Sequence, residues 1–149
     1  MNKAISLLLV GLAFAFAGRA PAQEVIFTKS KQVIQEGDKS RQRDVALAFL
    51  GDKVVVRDRK ANQVYAEIPN ASLNDLTYEL SKHPRYKTAI FLSPLALFSP
   101  GKKHWLTIEY QTEGKTDFVL LQLDKGEYQR IIATAEARTG KDVKRILED

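Results

Sequence analysis

The sequence predicts a mainly β fold, of the α+β class, that ends in one C-terminal helix. Between residues 43 and 68, three short runs alternate apolar with polar or small side chains, and turn-forming residues separate them. Residues 104–123 contain an alternating run and a nearly continuous apolar run on either side of a glycine turn. From residue 128 onward, apolar side chains recur with the period of an amphipathic helix. Together these observations place several strands before one helix.

Alternation and turns predict the first three strands of this domain. Val45–Phe49 and Lys53–Arg59 flank Gly51-Asp52, which suits a two-residue hairpin loop. Lys60–Asn62 forms the next turn, and Val64–Ile68 is a third strand that the following proline halts. Because apolar side chains occupy every second position, one face of each strand is expected to join the core.

Two later segments allow more than one interpretation. Ser72–Leu80 fits a helical face capped by Ser72 and Asp75, but its alternating apolar residues fit a strand equally well. Ala89–Phe98 is apolar yet contains Ser93-Pro94, and because proline lacks an amide hydrogen we expect an edge strand followed by a loop. From the pattern alone, this segment can belong to the core or be exposed.

The last third of the sequence gives the clearest strand pattern. Residues 104–110 place His104, Leu106, Ile108 and Tyr110 on one face and the intervening residues on the other. A Glu-Gly-Lys turn then reverses the direction of the backbone. Phe118–Leu123 is a nearly continuous apolar run, which indicates a well-buried strand.

The predicted helix has signals at both ends. Asp124 stands three residues before Glu127, which is the spacing of a capping box. Gly140 is expected to end the helix, because glycine adopts the left-handed conformation without penalty. The tail, residues 141–149, is interpreted as either frayed helix or disorder.

The first 22 residues have the features of a removable export signal. Lys3 supplies a positive start, Ile5–Phe16 is an apolar run, and Ala20 and Ala22 form the small-x-small pattern of a cleavage site. We therefore expect a protein that is exported, periplasmic or extracellular, and soluble after cleavage near Ala22.

The polar residues after the signal are interpreted as an N-terminal arm. Strands are expected near Val25–Thr28 and Gln32–Gln35, and compact structure is expected to start near Arg43. The predicted organisation is signal peptide 1–22, N-terminal arm 23–42, one domain 43–140 and C-terminal tail 141–149.

Composition excludes several classes of function. The 149 residues include 23 Lys or Arg and 18 Asp or Glu, and the signal holds two of the basic residues, Lys3 and Arg19. A mild excess spread along the sequence does not form the basic stripe of a nucleic-acid-binding protein. Because there is no cysteine, disulfides, thiolate metal sites, cysteine nucleophiles and a lipoprotein anchor are excluded.

Several stretches of the sequence resemble one family. They are Lys103–Tyr110, Leu121–Lys125 and Ala135–Gly140, together with Val45–Val56 and Ile68-Pro69. Over roughly residues 43–143, the sequence resembles bacterial secreted proteins with a pleckstrin-homology-like (PH-like, GRAM-like) domain. The resemblance implies a bent seven-stranded sandwich or partly open barrel with one capping helix, and it implies a strand at Ser72–Leu80. It implies little about function, because PH-like folds serve lipid binding, peptide binding and scaffolding.

Lys53, Arg57 and Arg59 form the best charged constellation in the sequence. Their odd numbering places all three on the solvent face of one strand. PH domains that hold inositol phosphates use similar basic residues around their first hairpin. Here the Gly51-Asp52 loop is shorter than such a site needs and two nearby aspartates dilute the charge, so a solvated strand face is the favoured interpretation.

A second basic set flanks the apolar segment Ala89–Phe98. It consists of Lys82, His83, Arg85, Lys87, Lys102, Lys103 and His104. If the loops converge, apolar residues lie between two positive patches, which is the composition of a surface that dips into an anionic membrane. We favour the alternative that these apolar residues form the edge of the core, because large exposed apolar patches are rare.

No catalytic, cofactor or metal site is predicted. His83 and His104 are the two histidines, and no serine or acid stands in a recognisable nucleophile motif. Two histidines without cysteine fall short of a structural zinc set. Trp105 is interpreted as a packing anchor, and Asp124 and Glu127 as capping residues.

One expectation about function and two alternatives follow. We expect a non-catalytic binding or scaffolding module whose partner is another envelope protein, with no cofactor and no nucleic acid. The first alternative is a peripheral binder of anionic membrane lipid that uses the Lys82–Lys103 region. The second is an enzyme of unrecognised type.

Overall fold

The computed structural model describes residues 23–84 and 101–147. Within these ranges the strands are β1 Val25–Glu36, β2 Lys39–Phe49, β3 Lys53–Asp58, β4 Val64–Pro69, β5 Leu73–Ser81, β6 Lys103–Thr112, β7 Lys115–Leu123 and β8 Val143–Leu147. The helix α1 spans Tyr128–Thr139, and a single 3-10 turn spans Asn70–Ser72. The predicted signal with its cleavage site, the Ala89–Phe98 segment, Arg85 and Lys87 lie outside the described residues.

The eight strands form one open sheet in the order β4-β3-β2-β1-β7-β6-β5-β8. Neighbouring strands are antiparallel except β5 and β8, which run parallel. In the middle of the sheet, β1 pairs with β2 along most of its length and with β7 through Lys31–Val33. A register shift between Phe27 and Ser30 interrupts β1, and such an irregularity bends a strand and increases its twist.

The short link from β4 to β5 shows that the sheet is strongly curved. These strands are first and seventh in the sheet order, which would place them about 29 Å apart if the sheet were flat, at about 4.8 Å per strand. Only Asn70–Ser72 connects them, and a segment that short spans at most about 14 Å. The sheet therefore curls until the end of β4 approaches the start of β5, although the two do not pair.

The main hydrophobic core lies on the side of the sheet that carries α1. Every strand and the helix contribute to it, with Leu47, Val56, Ile108, Leu121 and Ile131 among the members that are fully buried. A smaller cluster on the opposite face contains Val33, Trp105 and Leu120, against which Phe118 packs. Trp105 is 1% exposed and its indole N–H donates to the Ser81 carbonyl at 3.1 Å, as expected of a packing anchor.

The buried face and the C-terminal end of the helix agree with the sequence pattern, but its N-terminal cap does not. Ile131, Ile132 and Ala135 are buried as predicted, and Gly140 ends the helix with a φ of 72° while its N–H bonds to the Glu136 carbonyl. The capping box was wrong: the residue at the cap makes no side-chain hydrogen bond. The Asp124 carboxylate instead accepts from the Gly126 N–H at 2.8 Å, because the backbone turns tightly before the helix begins.

The fold class is confirmed as mainly β with one helix near the C-terminus, and three details differ from the prediction. The sheet is open rather than a barrel, and it has eight strands among the described residues instead of seven. Residues assigned to the N-terminal arm form β1 and the start of β2, and part of the predicted tail forms β8. The ambiguous segment after Pro69 forms β5, the strand that the family resemblance implied.

Replacing Leu121 by Ala is expected to lower the free energy of unfolding by about 2–5 kcal/mol, because the substitution leaves a cavity in the core. Leu121 is 0% exposed. Val64→Ala is the matched control, since Val64 is 50% exposed on the edge strand β4 and its truncation should cost less than about 0.5 kcal/mol. Urea unfolding of the two variants measures both values. A loss for Leu121→Ala as small as that of the control would contradict this description of the core.

Candidate functional site

The candidate site is a shallow basin beside the end of β3, which we call the Arg43 basin. It has a volume of about 240 Å³ and is lined entirely by charged residues. These are Arg43, Asp44, Asp58, Arg59 and Lys60. The basin forms because β2 continues beyond the end of β3, so side chains of β2 meet those of the turn that follows β3.

Two neighbouring side chains hold Arg43 in place. Gln32 lies directly opposite Arg43 in the β1–β2 ladder, and its side-chain carbonyl accepts from Arg43 Nε at 2.9 Å and from Nη2 at 2.8 Å. The Arg43 guanidinium carbon also lies 3.4 Å from the centre of the Tyr65 ring, which is a cation–π contact. Among the described residues, no carboxylate forms an ion pair with Arg43.

Asp58 ties Tyr65 to the turn that follows β3. One carboxylate oxygen of Asp58 accepts from the N–H groups of Ala61 and Lys60 at 2.7 and 2.8 Å, and the other accepts from the Tyr65 hydroxyl at 2.8 Å. The Ala61 and Lys60 amides, followed by Tyr65, lower the pKa of Asp58, so this carboxyl stays ionised. The hydrogen bond to Asp58 raises the pKa of Tyr65, which keeps the phenol protonated. The network runs from Gln32 through Arg43 and Tyr65 to Asp58.

The remaining charges of the basin are partly neutralised. Arg59 pairs with Asp44 at 2.6 Å and makes a longer bond of 3.4 Å to the Thr28 carbonyl. The lining thus holds three cations and two anions, a net charge of one positive unit.

Two members of the first basic set, Lys53 and Arg57, lie on β3 and face away from the main core, whereas Arg59 lies just beyond the end of β3 and so is not on the same strand, contrary to the prediction. Each of the three has an acidic partner. Lys53 pairs with Glu67 at 2.6 Å and Arg57 with Glu24 at 3.3 Å, and Arg59 has the Asp44 partner described above. The hydrogen bond that Lys53 donates to Glu67 raises the pKa of Lys53. Only Arg59 of the three lines the Arg43 basin, so the set does not present one continuous positive patch.

The described part of the second basic set gathers at one end of the sheet. Lys103 starts β6 and lies opposite Ser81, the last residue of β5. Lys82 and His83 directly follow β5, while Lys102 directly precedes β6. These basic residues therefore share the end of two neighbouring strands.

His104 belongs to a stack of three rings where β5, β6 and α1 meet. Its ring centre lies 3.8 Å from that of Tyr128, and its Nδ1 shares a hydrogen bond of 2.7 Å with the Tyr78 hydroxyl. The rings of Tyr78 and Tyr128 are also stacked, with centres 5.7 Å apart. Burial lowers the pKa of His104 from its ordinary value of 6.5, while the charge of Asp124 acts in the opposite sense. These contacts make His104 part of the packing that holds α1 on the sheet.

Neither a metal centre nor a membrane-spanning helix is found in the described ranges. No three His, Asp or Glu side chains of residues 23–84 and 101–147 come close enough together to hold a metal ion. No helix in these ranges combines the length and the apolar character needed to cross a bilayer.

Arg43, Tyr65 and Lys60 were not predicted as site residues from the sequence. One signal was present: Arg43 is two residues before Val45 and shares its parity with the core residues of β2, so a charged group stands where the alternation calls for an apolar one. Such a residue needs a partner, and the partner is Gln32, which is 8% exposed. The contact with Tyr65 had no signal, because a register shift between Val56 and Arg57 changes the pairing of β3 with β4.

Comparisons with known proteins show the fold. The scan against family models found no match, and neither did the search of curated proteins. Among solved structures, the Spt16D Pob3N heterodimer matches with a TM-score of 0.53 and 9% identity, covering 87% of this chain and 58% of that one. The hSac2 domain from human phosphoinositide phosphatase Sac2 matches with a TM-score of 0.43 and 16% identity, covering 87% of this chain and 80% of that one.

The match therefore spans 58% of the length of the first of these neighbours. The first neighbour has a PH-like fold, and the order of seven strands followed by one helix, ahead of β8, agrees with that class. The protein has a PH-like fold.

Acidification is expected to reduce the free energy of unfolding through His104. Because its pKa is lower in the folded protein than the ordinary 6.5, the unfolded state binds the proton more tightly. The contribution is fully present above about pH 6.5 and is lost as the pH falls through the folded pKa. Tyr78, Tyr128, Asp124 and, through Tyr78, Arg145 are the titratable or charged groups around the stack.

Urea unfolding between pH 7.5 and pH 5 checks this prediction. His104→Phe keeps a stacking ring without a titrating nitrogen, so its stability should vary less with pH than that of the unmodified protein. An equal slope in the two proteins, or greater stability of the unmodified protein at the lower pH, would show that His104 does not carry the effect.

Proposed function

We propose that this protein is an exported, non-catalytic binding module that holds a partner protein at the Arg43 basin. The PH-like fold supports a binding role in general terms. The first structural neighbour is named as a heterodimer, which is consistent with a protein partner. Since one fold hosts many functions, the proposal depends on the site rather than on the neighbour.

One observation carries the proposal: the guanidinium of Arg43 is held by neutral groups rather than by a carboxylate. The Gln32 carbonyl and the Tyr65 ring orient it without neutralising its charge. A positive group that is already ordered loses little side-chain entropy when a partner binds. By contrast, Lys53, Arg57 and Arg59 are each paired with an acid, so a partner would have to compete for them.

The signal-like first 22 residues support an envelope or extracellular partner. Export would also separate the module from cytoplasmic inositol phosphates, which favours protein recognition over the reading of such second messengers. The stacked environment of His104 supports a structural role for that ring, in keeping with a protein that is not an enzyme.

A second candidate function is peripheral binding to anionic membrane lipid. Lys82, Lys102 and Lys103 meet at the end of β5 and β6, and each basic residue near an anionic surface contributes about 1 kcal/mol of attraction. Co-sedimentation with anionic vesicles separates the two functions. Salt-sensitive binding that is lost when Lys102 and Lys103 are replaced by Glu favours the lipid candidate, and no binding removes it.

Replacing Arg43 by Ala is expected to reduce capture of the partner at least about tenfold, because truncating a charged interface residue costs about 2 kcal/mol or more. The measurement is cross-linked pull-down of the tagged mature protein from envelope extract, with quantitative mass spectrometry. Arg57→Ala is the matched control, since Arg57 is on the same strand pair but does not line the basin.

The pull-down includes Arg43→Lys, which keeps the charge and is expected to remain folded if Arg43→Ala does not. Circular dichroism of each variant separates unfolding from loss of binding. A partner that both Arg43 variants capture as well as the unmodified protein would rule out the basin as its docking site.

A further inference from the structure

Among the described residues, one edge of the Arg43 guanidinium has no complete set of hydrogen-bond acceptors. The group carries five N–H donors in a planar fork. Gln32 occupies the side formed by Nε and Nη2, and in the described part of the protein no acceptor is bonded to Nη1. Within the described ranges, no protein acceptor therefore bridges Nη1 and Nη2, and this end of the fork is the edge that matches the two oxygens of a carboxylate.

The charge of the basin sets the charge of the ligand that complements it. Asp44 offsets Arg59, and Asp58 is bound to Tyr65 and to two turn amides. Lys60 has no carboxylate at ion-pair distance among the described residues, although the charge of its ammonium acts on Asp58. With a net charge of one positive unit, the basin suits a single negative charge better than a doubly charged phosphate monoester.

We propose that the Arg43 basin binds one carboxylate of a partner protein, supplied by an Asp or Glu side chain or by the partner's terminal carboxylate. The carboxylate accepts from Nη1 and Nη2 of Arg43, and Lys60 adds attraction from the rim. This inference rests on the proposed function, because it names the chemistry recognised at the same basin.

The composition of the lining argues against a membrane surface as the source of the anion. All five lining residues are charged, and two of them are carboxylates that repel a densely anionic surface. Attraction to anionic membranes grows with the number of basic residues near the surface, whereas this basin has a small net charge. A single carboxylate presented by a protein brings only one negative charge toward Asp44 and Asp58.

Asp44 tunes the affinity of the site in this arrangement. It pairs with Arg59 and so withholds that guanidinium from the ligand. Replacing Asp44 by Asn removes a negative charge from the lining and frees Arg59. The affinity for a carboxylate should then rise about twofold to fivefold, as expected from the strength of an exposed ion pair. A gain of affinity is an outcome that damage to the fold does not produce.

The test is an NMR titration of the mature protein that follows the Nε–H resonance of Arg43. The probe is the capped peptide acetyl-Gly-Glu-Gly-amide, with acetyl-Gly-Gln-Gly-amide as its uncharged counterpart. We expect a saturable shift with the Glu peptide and none with the Gln peptide, and the shift should weaken as the salt concentration rises. Asp44→Asn should bind the Glu peptide more tightly, and Arg57→Ala should bind it as the unmodified protein does.

Arg43→Lys is the decisive loss variant, because lysine keeps the charge but lacks the fork. For this variant the titration is followed at the backbone N–H groups of residues 58–60, which line the basin. We expect its affinity for the Glu peptide to fall at least about fivefold. Equal affinity in Arg43→Lys, or no gain in Asp44→Asn, would overturn the proposal.

Two further titrations distinguish other anions. Inorganic phosphate that shifts Arg43 at lower concentration than the Glu peptide would overturn the carboxylate assignment, as would Arg43-dependent binding to vesicles of phosphatidylglycerol and phosphatidylcholine. The inference and the proposed function can also fail separately. If partner capture depends on Arg43 but the Glu peptide does not bind, the proposed function holds and recognition of a carboxylate is ruled out. If the Glu peptide binds but capture does not depend on Arg43, recognition of a carboxylate holds and the basin is ruled out as the docking site of the captured partner.

Discussion

The three-residue connection between β4 and β5 is the constraint on which the rest of the fold depends. These strands are far apart in the sheet order, yet Asn70–Ser72 alone joins them, so the sheet has to curl. The curl turns one face of every strand toward a common core, and α1 covers that core with Ile131, Ile132 and Ala135. Asn70 also donates to the Arg138 carbonyl at 3.0 Å, which fastens the connection to the end of the helix.

The position of Arg43 follows from this architecture. As the central strand, β1 pairs on both sides, so Gln32 lies on the core face between Arg43 and Leu121. A side-chain amide that is so deeply buried requires a hydrogen-bond partner, and the Arg43 guanidinium supplies two donors. The hydrogen bonds that satisfy the buried amide of Gln32 therefore also orient a positive charge at the edge of the core. Tyr65 covers the guanidinium face, and Asp58 holds Tyr65.

Sequence pattern was sufficient for those elements whose apolar residues keep a regular period. It predicted β2–β4, β6, β7 and α1, because in each of them one face is buried against the core. For β1 it predicted two short strands, near Val25–Thr28 and Gln32–Gln35, instead of one long strand, because the register shift after Phe27 breaks the alternation and Ser30, a polar residue, takes a core position. It failed for β8, in which Val143 alone is buried, so the strand carries no apolar period.

The Arg43 basin could be predicted only in small part. Its residues come from β2, from the end of β3 and from the turn beyond it, and the register of the sheet decides that they meet. Single-sequence reasoning selected Arg59 because it belongs to a basic run, but it could not place Asp44 beside it. A run of basic residues in the sequence therefore says little about free charge until the neighbouring strand is known.

The hydrogen bonds to Gln32 and the contact with the Tyr65 ring should immobilise the guanidinium of Arg43 before any partner binds. Side-chain ¹⁵N relaxation of the ligand-free protein tests this expectation most directly. We expect an order parameter for the Arg43 Nε–H near that of rigid backbone, about 0.85, while Arg41, which is exposed and, among the described residues, pairs with Glu36, should fall below about 0.6. An Arg43 side chain as mobile as that of Arg41 would show that Gln32 and Tyr65 do not hold it.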